Sequence, residues 1–266
     1  MFKYFVPFLL CFFIFSGCED TNLSLVTEAG VDAIKAVTLS DKDVKILAAK
    51  ASKQADLKNR IAGSQNAYGK RLKNIVGNRY DSSGYSFDFK VYLSSQINAF
   101  AMADGTIRIY SGLMDMMNDE ELLFVVGHEM GHVVKRHIKK KIMLAYAASS
   151  VRKGIASQES IAGDIARSAL GGFVQILLNA QFSQAEEREA DDFGILFLKE
   201  HGFNINAAVS ALKKLDGLGK NHSFLSSHPE PATRARRLQK QVDSPEKIGG
   251  PSFLDKIIAR VKSLFS

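Results

Sequence analysis

The chain has 266 residues, of which 46% are hydrophobic and 24% are charged. This length is enough for one large domain or two small ones. The composition excludes a disordered chain and a polytopic membrane protein, and the presence of only two cysteines excludes a scaffold held together by disulfides. The net charge of +7 suits an anionic partner, either lipid or nucleic acid, but requires neither.

The first 17 residues are typical of a secretory signal. Lys3 supplies a positive charge, and the apolar run from Phe5 to Phe15 is shorter than the roughly 20 residues of a transmembrane helix. The run ends in Phe15-Ser16-Gly17-Cys18, which resembles a bacterial lipobox, although Leu is usual where Phe15 stands. We therefore expect a lipoprotein signal peptide over residues 1–17 and a lipid on Cys18. The alternative is an ordinary secretory signal with an incidental cysteine.

This signal also predicts where the mature chain is located. Cleavage removes Cys11 and lipidation consumes Cys18, so the mature chain keeps no thiol and its stability depends on a hydrophobic core. Residues 18–39 are interpreted as a lipidated tether. In enteric bacteria Asp after the lipidated cysteine favours the inner membrane, so Glu19 favours the outer membrane. The expected location is the periplasmic side of a bacterial envelope.

The next part of the chain predicts two helices and then a small antiparallel sheet of about three strands. Ser40 and Asp43 are typical of a helix N-cap and its reciprocal acid, and apolar residues recur at helical spacing after them. A second helix is predicted from about Ser64 to Val76. Residues 87–93 alternate in polarity as a half-buried strand does. Asp104-Gly105 lies between two further apolar runs, which is a typical hairpin sequence.

The rest of the chain predicts helices. Asn118-Asp119 caps a helix whose first turn is acidic and whose last turn is basic, and we interpret His137 as a cation at its end. The final predicted helix has an apolar stripe beside basic residues, so it either docks on the fold or rests on a membrane surface. The fold class is therefore α+β and mainly helical. The remaining helices are predicted over 142–180, 185–198, 206–215, 234–242 and 253–265.

The capped helix contains the sequence His128-Glu129-Met130-Gly131-His132. Histidines at i and i+4 project from one helix face, so their ring nitrogens can share one tetrahedral ion. Glu129 is rotated by about 100° and can act as base on a metal-bound water without binding the metal. A merely charged helix face fits poorly, because residues 122–126 and 133–134 are apolar. The pattern predicts one zinc ion per chain.

A catalytic zinc needs a third protein ligand. In the acidic segment 181–194, Glu187 and Asp191 are four residues apart and share one helix face, whereas Glu186 and Glu189 point elsewhere. This spacing suits one metal ligand and one acid that supports a ligand. An acidic run of this kind is more often a solvated helix face. Only the upstream histidine motif makes it the best candidate for the source of the third zinc ligand.

These motifs together resemble zinc metallopeptidases of the HtpX and CAAX-prenyl-protease type, and most closely the LoiP-like lipoproteins of the bacterial envelope. The resemblance covers about residues 35–240 and is carried by the segments 98–101, 110–114, 127–132 and 182–191. It implies a zincin-like fold with a small antiparallel sheet beside the active-site helix. Much of the wider family has Arg where this chain has Gln184.

The resemblance also implies the roles of the site residues. His128, His132 and Glu187 become the zinc ligands, Glu129 the base and Asp191 the partner of a ligand histidine. His228-Pro229 and Arg234 resemble the family segment His-Pro-x-x-x-x-Arg. A histidine near the zinc either stabilises the oxyanion or fills the open coordination position as a plug, and the alternative is a loop histidine before a proline turn.

Substrate binding is implied by the same resemblance. The strand that begins at Asn98, Ala99 and Phe100 resembles the edge strand that holds an extended peptide beside the zinc, through backbone pairing of low sequence preference. Arg234 is grouped with these residues as a substrate-binding residue.

The predicted function is a zinc-dependent endopeptidase over residues 40–245, followed by a C-terminal amphipathic helix over 246–266. Its expected substrates are extended or unfolded polypeptides, above all misfolded or misassembled envelope proteins. Membrane lipid, through Cys18, and other envelope proteases or assembly factors are the expected partners. A chaperone-like lipoprotein with a plugged or structural zinc is the alternative, and the intact Glu129 argues against it. Nucleic-acid binding is not expected, since no basic-aromatic motif is present.

Overall fold

The structure, a computed structural model, describes residues 40–77, 81–82, 84–143, 181–219 and 222–244. The predicted signal peptide, Cys18, the tether up to residue 39, most of the helix predicted over 142–180 and the C-terminal helix over 246–266 lie outside the described residues. Within the described ranges, no helix combines the length and the apolar character that crossing a membrane requires.

The element order confirms a mainly helical α+β fold. A helical stretch over 137–143 follows the helix that ends at Val134 and carries no label of its own. The labelled elements are α1 (Asp41–Lys58), α2 (Ala67–Val76), β1 (Asp81–Ser82), β2 (Tyr85–Ser86), β3 (Asp88–Tyr92), β4 (Ala99–Ala101), β5 (Thr106–Tyr110), α3 (Ser111–Met116), α4 (Asp119–Val134), α5 (Gln184–Glu200), α6 (Asn206–Gly217), α7 (Ser223–Ser227) and α8 (Pro231–Val242).

The three-stranded sheet is mixed, with the strand order β3-β5-β4. β4 and β5 form the predicted antiparallel hairpin, and Gly105 turns it with a φ of 95°. β3 pairs with β5 in parallel, with Asp88 opposite Thr106, so the predicted antiparallel arrangement is corrected for this pair. The reason is the connection over 93–98. This connection is long enough to span two strand spacings of about 4.8 Å each. β4 therefore lies two positions away from β3 in the sheet, and β5 lies between them.

Both helices that carry the predicted metal motifs begin with a capping box. Asn118 accepts a hydrogen bond from the backbone of Glu121 at the start of α4, and the Glu121 side chain accepts one in return. Ser183 and Glu186 make the same pair of bonds at the start of α5. Each box satisfies two backbone donors that the helix cannot, so the first turn of each helix is fixed.

Helices α4 and α5 lie against each other through small residues. A Cβ atom built on Gly131 would lie 3.1 Å from Ala190 Cα, and one on Gly127 would lie 3.2 Å from Gly194 Cα. These distances are shorter than an ordinary contact between carbon atoms, so side chains at both glycines would force the helices apart. The glycines thus permit the approach that brings the two motifs together.

The sheet is joined to α1 by the buried Arg108 on the central strand β5. Its Nε donates to Asp56 on α1 at 2.8 Å, and its Nη2 donates to Asp88 on β3 at the same distance. A buried guanidinium with two carboxylate partners is costly to disrupt, so this cluster holds β5 and its neighbours in register beside α4.

Candidate metal centre

Three of the predicted ligands converge in the interior. The one-turn spacing on α4 places the Nε2 atoms of His128 and His132 3.1 Å apart. From α5, Glu187 brings Oε1 to 3.3 Å from His132 Nε2 and Oε2 to 3.6 Å from His128 Nε2. All three side chains are buried. The α4–α5 contact therefore assembles two imidazoles and one carboxylate from sequence positions about 55 residues apart.

His228, which directly follows α7, is a fourth donor in the same cluster. Its Nδ1 lies 3.2 Å from His128 Nε2 and 3.0 Å from Glu187 Oε1. One donor atom from each of the four residues lies within 4.8 Å of the others. The Nε2 atom of His228 faces Glu129 Oε1 at 3.3 Å. A loop position remote from the site is therefore excluded for this histidine.

The donor set fits a divalent metal ion of the zinc type. Ligands that surround such an ion tetrahedrally at about 2.0–2.1 Å are separated from one another by about 3.3 Å. The donor atoms of the four residues are separated by 3.0, 3.1, 3.2, 3.3 and 3.6 Å in the five pairs given above. Two imidazole nitrogens with one carboxylate oxygen are also the ligand types that such an ion prefers.

Asp191 and Arg234 contact the predicted ligands on the side away from their shared donor atoms. Asp191 Oδ1 lies 3.0 Å from the outer nitrogen, Nδ1, of His128. Arg234 donates to both oxygens of Asp191, at 2.6 and 3.0 Å, and its Nη1 forms an ion pair with Glu187. The predicted place of Arg234 among the substrate-binding residues is corrected. Its side chain is only 5% exposed, and its guanidinium is occupied by these two acids.

Burial and Arg234 together set the charges of this cluster. Burial would raise the pKa of Glu187, but the charge of Arg234 and the contacts with His228 and His132 hold it well below its usual value. Burial also acts to raise the pKa of Asp191, and the Arg234 charge again outweighs it. Burial lowers the pKa values of His132 and His228. At neutral pH the acids are therefore ionised and these imidazoles neutral, which are the states that bind a cation.

The structure corrects the interpretation of His137 as a cation at the end of α4. α4 ends at Val134, and the chain turns through Arg136 in the left-handed region, with a φ of 60°. His137 is consequently 2% exposed. Its Nδ1 lies 3.0 Å from His132 Nδ1, and its Nε2 lies 3.2 Å from Glu189. Burial lowers its pKa, so His137 is a neutral partner of a predicted ligand.

The cleft beside Glu129 opens next to strand β4. Among the described strands β4 pairs only with β5, so within the described residues its other edge is not paired with a further strand. Ala99 and Phe100 lie on this strand, and Phe100 lines the cleft, whereas the Asn98 side chain accepts a hydrogen bond from the backbone of Ala99. The cleft is lined by Phe100, Ala101, Met102, Glu129, Ile138, Lys141, Phe182, Ser227 and His228.

Sequence reasoning assigned no role to Phe182 or Lys141, which both line this cleft. The Phe182 ring stacks on His132, with ring centroids 3.6 Å apart, and Lys141 Nζ lies 3.7 Å from the centre of the same ring. Phe182 lies at the start of the acidic segment 181–194, so its position beside the predicted ligands could have been inferred from the sequence. The position of Lys141 could not have been inferred in this way. It follows the turn at Arg136, and the helical pattern of the sequence does not predict that turn.

A His-Glu-x-x-His helix joined to a helix that supplies a third donor, beside an edge strand, defines a metallopeptidase. A model of peptidase family M48 matches residues 66–242. The chain belongs to peptidase family M48. This result confirms the predicted class, a metalloendopeptidase that acts on polypeptides.

Similar proteins agree with this assignment. The chain is 38% identical over 236 residues to the metalloprotease LoiP of Escherichia coli K12, a match that covers 87% of this chain and 93% of LoiP. It is 38% identical over 240 residues to the metalloprotease YcaL of the same organism, with the same coverage. It is also 27% identical over 206 residues to the beta-barrel assembly-enhancing protease of Yersinia pestis, covering 72% of this chain and 42% of that protein. The predicted resemblance to LoiP-like proteins is confirmed.

Proposed function

We propose that this chain is a zinc endopeptidase in which His128, His132 and Glu187 bind the ion and Glu129 is the general base. The observation that carries the proposal is the convergence of three ligand-type donors at tetrahedral spacing. Glu129 lies in the cleft beside them, and its Oε1 accepts no hydrogen bond from the described residues. A carboxylate in this position is free to exchange a proton with a reacting molecule.

When bound, the ion supplies a Lewis acid that polarises the scissile carbonyl and acidifies water. The residues of the chain perform the other tasks. The free edge of β4 pairs with an extended peptide, and Glu129 removes a proton from the attacking water and returns it to the leaving amine. Asp191 accepts a hydrogen bond from His128 Nδ1 and so fixes the tautomer that presents Nε2 to the ion.

We assign His228 to a closed resting state of the enzyme. Its Nδ1 takes the position of a fourth ligand, while its Nε2 faces the Glu129 carboxylate. A catalytic zinc requires one position open to water or substrate, so His228 has to move before peptide cleavage. The two roles considered for this residue, a plug of the open coordination position and a stabiliser of the oxyanion, predict opposite results. Replacing His228 with Ala raises the cleavage rate if the histidine is a plug and lowers it if the histidine stabilises the oxyanion.

We place the enzyme at the bacterial cell envelope, held by lipid on Cys18 at the outer membrane, with misfolded or misassembled envelope proteins as substrates. The lipobox-like sequence before Cys18 supports the anchor, and the similarity to a beta-barrel assembly-enhancing protease supports the envelope context. Radiolabelled palmitate and cell fractionation test the anchor. Cys18→Ser should abolish labelling and release the protein from the membrane, whereas Cys11→Ser should change neither. Retention of the label by Cys18→Ser would contradict the anchor.

Metal removal tests the enzymatic assignment. Casein cleavage by the purified protein should stop when a chelator removes the metal and return when about one equivalent of zinc is added. The chaperone-like alternative predicts a different result, in which the zinc-loaded protein suppresses aggregation of an unfolded client and cuts nothing. Glu129→Gln serves as the control in both assays, because it should retain client binding while losing cleavage.

A further inference from the structure

Lys141 places an ammonium group inside the cleft next to the proposed base. Its side chain is 6% exposed, and it lines the cleft together with Glu129 and His228. Lys141 Nζ lies 3.7 Å from the centre of the Phe182 ring, and the other face of that ring stacks on His132. The Phe182 ring therefore lies between Lys141 and the proposed ligand His132. The cation–π contact with this ring holds the ammonium group in place in the cleft.

Two of the three carboxylates around Lys141 already have other partners. Glu129, Glu187 and Glu186 are near enough to act on its pKa, yet within the described residues none of them forms an ion pair with it. Glu187 pairs with Arg234 and His228. Glu186 pairs with Lys140 at 3.0 Å, and Glu129 faces His228 at 3.3 Å.

An ammonium in this position is costly to bury. Burial lowers the pKa of Lys141 from its ordinary value to about 8, so in the metal-free protein the group still carries its proton at neutral pH. A buried charge is stabilised by an opposite charge brought to it. A cation bound by His128, His132 and Glu187 would add positive charge to the cleft and weaken the attraction of the local acids for Lys141. A carboxylate that arrives with the substrate would restore this attraction.

We propose that Lys141 determines specificity by binding a carboxylate of the substrate next to the scissile bond. The carboxylate belongs either to an Asp or Glu side chain or to the free C-terminus of the substrate. A peptide paired with β4 presents alternate side chains on one face. The cleft runs from Phe100 on β4 and Met102, just beyond the strand, to Lys141. This inference rests on the proposed endopeptidase function.

Matched peptides test this proposal with the purified zinc-loaded protein. One series carries Glu or Gln at each position that flanks the cleaved bond, with an amidated C-terminus, and a second series carries Gln with a free C-terminus. The wild type should favour one carboxylate over its amide by about tenfold in kcat/KM, the size of one charge-assisted contact. Lys141→Met should remove this preference. Lys140→Met is the matched control, because the exposed Lys140 pairs with Glu186 instead, and it should retain the preference.

The outcomes separate this inference from the proposed function. A higher kcat/KM only for the peptides with a free C-terminus identifies the chain end as the carboxylate that Lys141 binds. A higher kcat/KM for an internal Glu over Gln identifies the side chain instead. Equal cleavage of all acid and amide peptides by the wild type overturns the role of Lys141 and leaves the peptidase intact.

A protein that cleaves nothing contradicts the proposed function but still leaves the carboxylate site testable. Fluorescence anisotropy then compares the binding of Glu and Gln peptides to the zinc-loaded Glu129→Gln protein. Tighter binding of the acid, lost when Lys141→Met is added, supports the site, and equal binding overturns it.

Discussion

Gly131→Ala tests whether the close contact of α4 and α5 builds the metal centre. Gly131 lies between the two motif histidines and faces α5. A methyl group there would lie 3.0 Å from Phe193 Cβ, 3.1 Å from Ala190 Cα and 3.2 Å from the Ala190 carbonyl oxygen. Two of these atoms belong to the backbone of α5 and cannot rotate away. The helices must therefore separate by about 0.5 Å to restore contacts of normal length.

The expected loss of stability follows from two opposing effects. Overpacking of a well-packed interface costs about 1–3 kcal/mol, whereas Ala in place of Gly in a helix recovers up to about 1 kcal/mol. The free energy of unfolding should therefore fall by about 1–2 kcal/mol. Glu187 moves with α5, and a shift of this size exceeds the tolerance of about 0.2 Å in a ligand distance. Zinc affinity should fall by at least about tenfold.

Urea denaturation with chelator present measures the first effect, and competition with a chromophoric zinc chelator measures the second. Gly217→Ala is the matched control, because nothing lies within 4 Å of a Cβ atom at that helical position. It should leave zinc affinity unchanged and stability unchanged or slightly higher. If Gly131→Ala behaves like this control in both assays, the close contact of the helices does not set the ligand geometry.

Three further predictions concern the groups that surround the ligands. Arg234→Met leaves two buried acids without their cation and should lower the free energy of unfolding by about 3–5 kcal/mol, less when zinc is bound; an unchanged urea midpoint would refute this. His137→Phe removes the partner of His132 Nδ1 and should weaken zinc binding by about tenfold or more, measured by chelator competition, whereas equal affinity would show that the contact orients nothing. Because burial lowers the pKa values of His132, His137 and His228 below 6.5, the unfolded chain binds more protons in mild acid. The metal-free protein should therefore lose stability as the pH falls through about 6.5, in urea titrations from pH 8 to 5, and a gain in acid would show that the sign is wrong.

The parts of the site that follow helical spacing were predictable from the sequence. His128 and His132 share a face because they are four residues apart on one capped helix, and the same spacing places Glu187 and Asp191 on one face of α5. Asn118 was also predicted as the cap of α4, whereas the cap of α5, Ser183, was identified only in the structure. In these cases local geometry determines the direction of the side chain, and the tertiary contact only brings the two faces together.

The parts that depend on a turn or a crossing connection were not predictable. A continuous helix would carry His137 away from the ligand face, but the left-handed Arg136 returns it to His132. The parallel pairing of β3 and β5 depends on the path of residues 93–98, which carry no periodic pattern. Arg234 was grouped with the substrate-binding residues on a family resemblance, which implies that it lies near the site but does not show on which side of the predicted ligands.

The most direct test of the account measures zinc content and casein cleavage on the same preparations of wild type and Glu129→Gln. The proposed mechanism predicts about one zinc per chain in both proteins. It also predicts cleavage by the wild type and a loss of about a hundredfold or more in Glu129→Gln, the contribution of a general base. A wild type that binds no zinc, or a zinc-loaded Glu129→Gln protein that cleaves at the wild-type rate, would contradict the central claim.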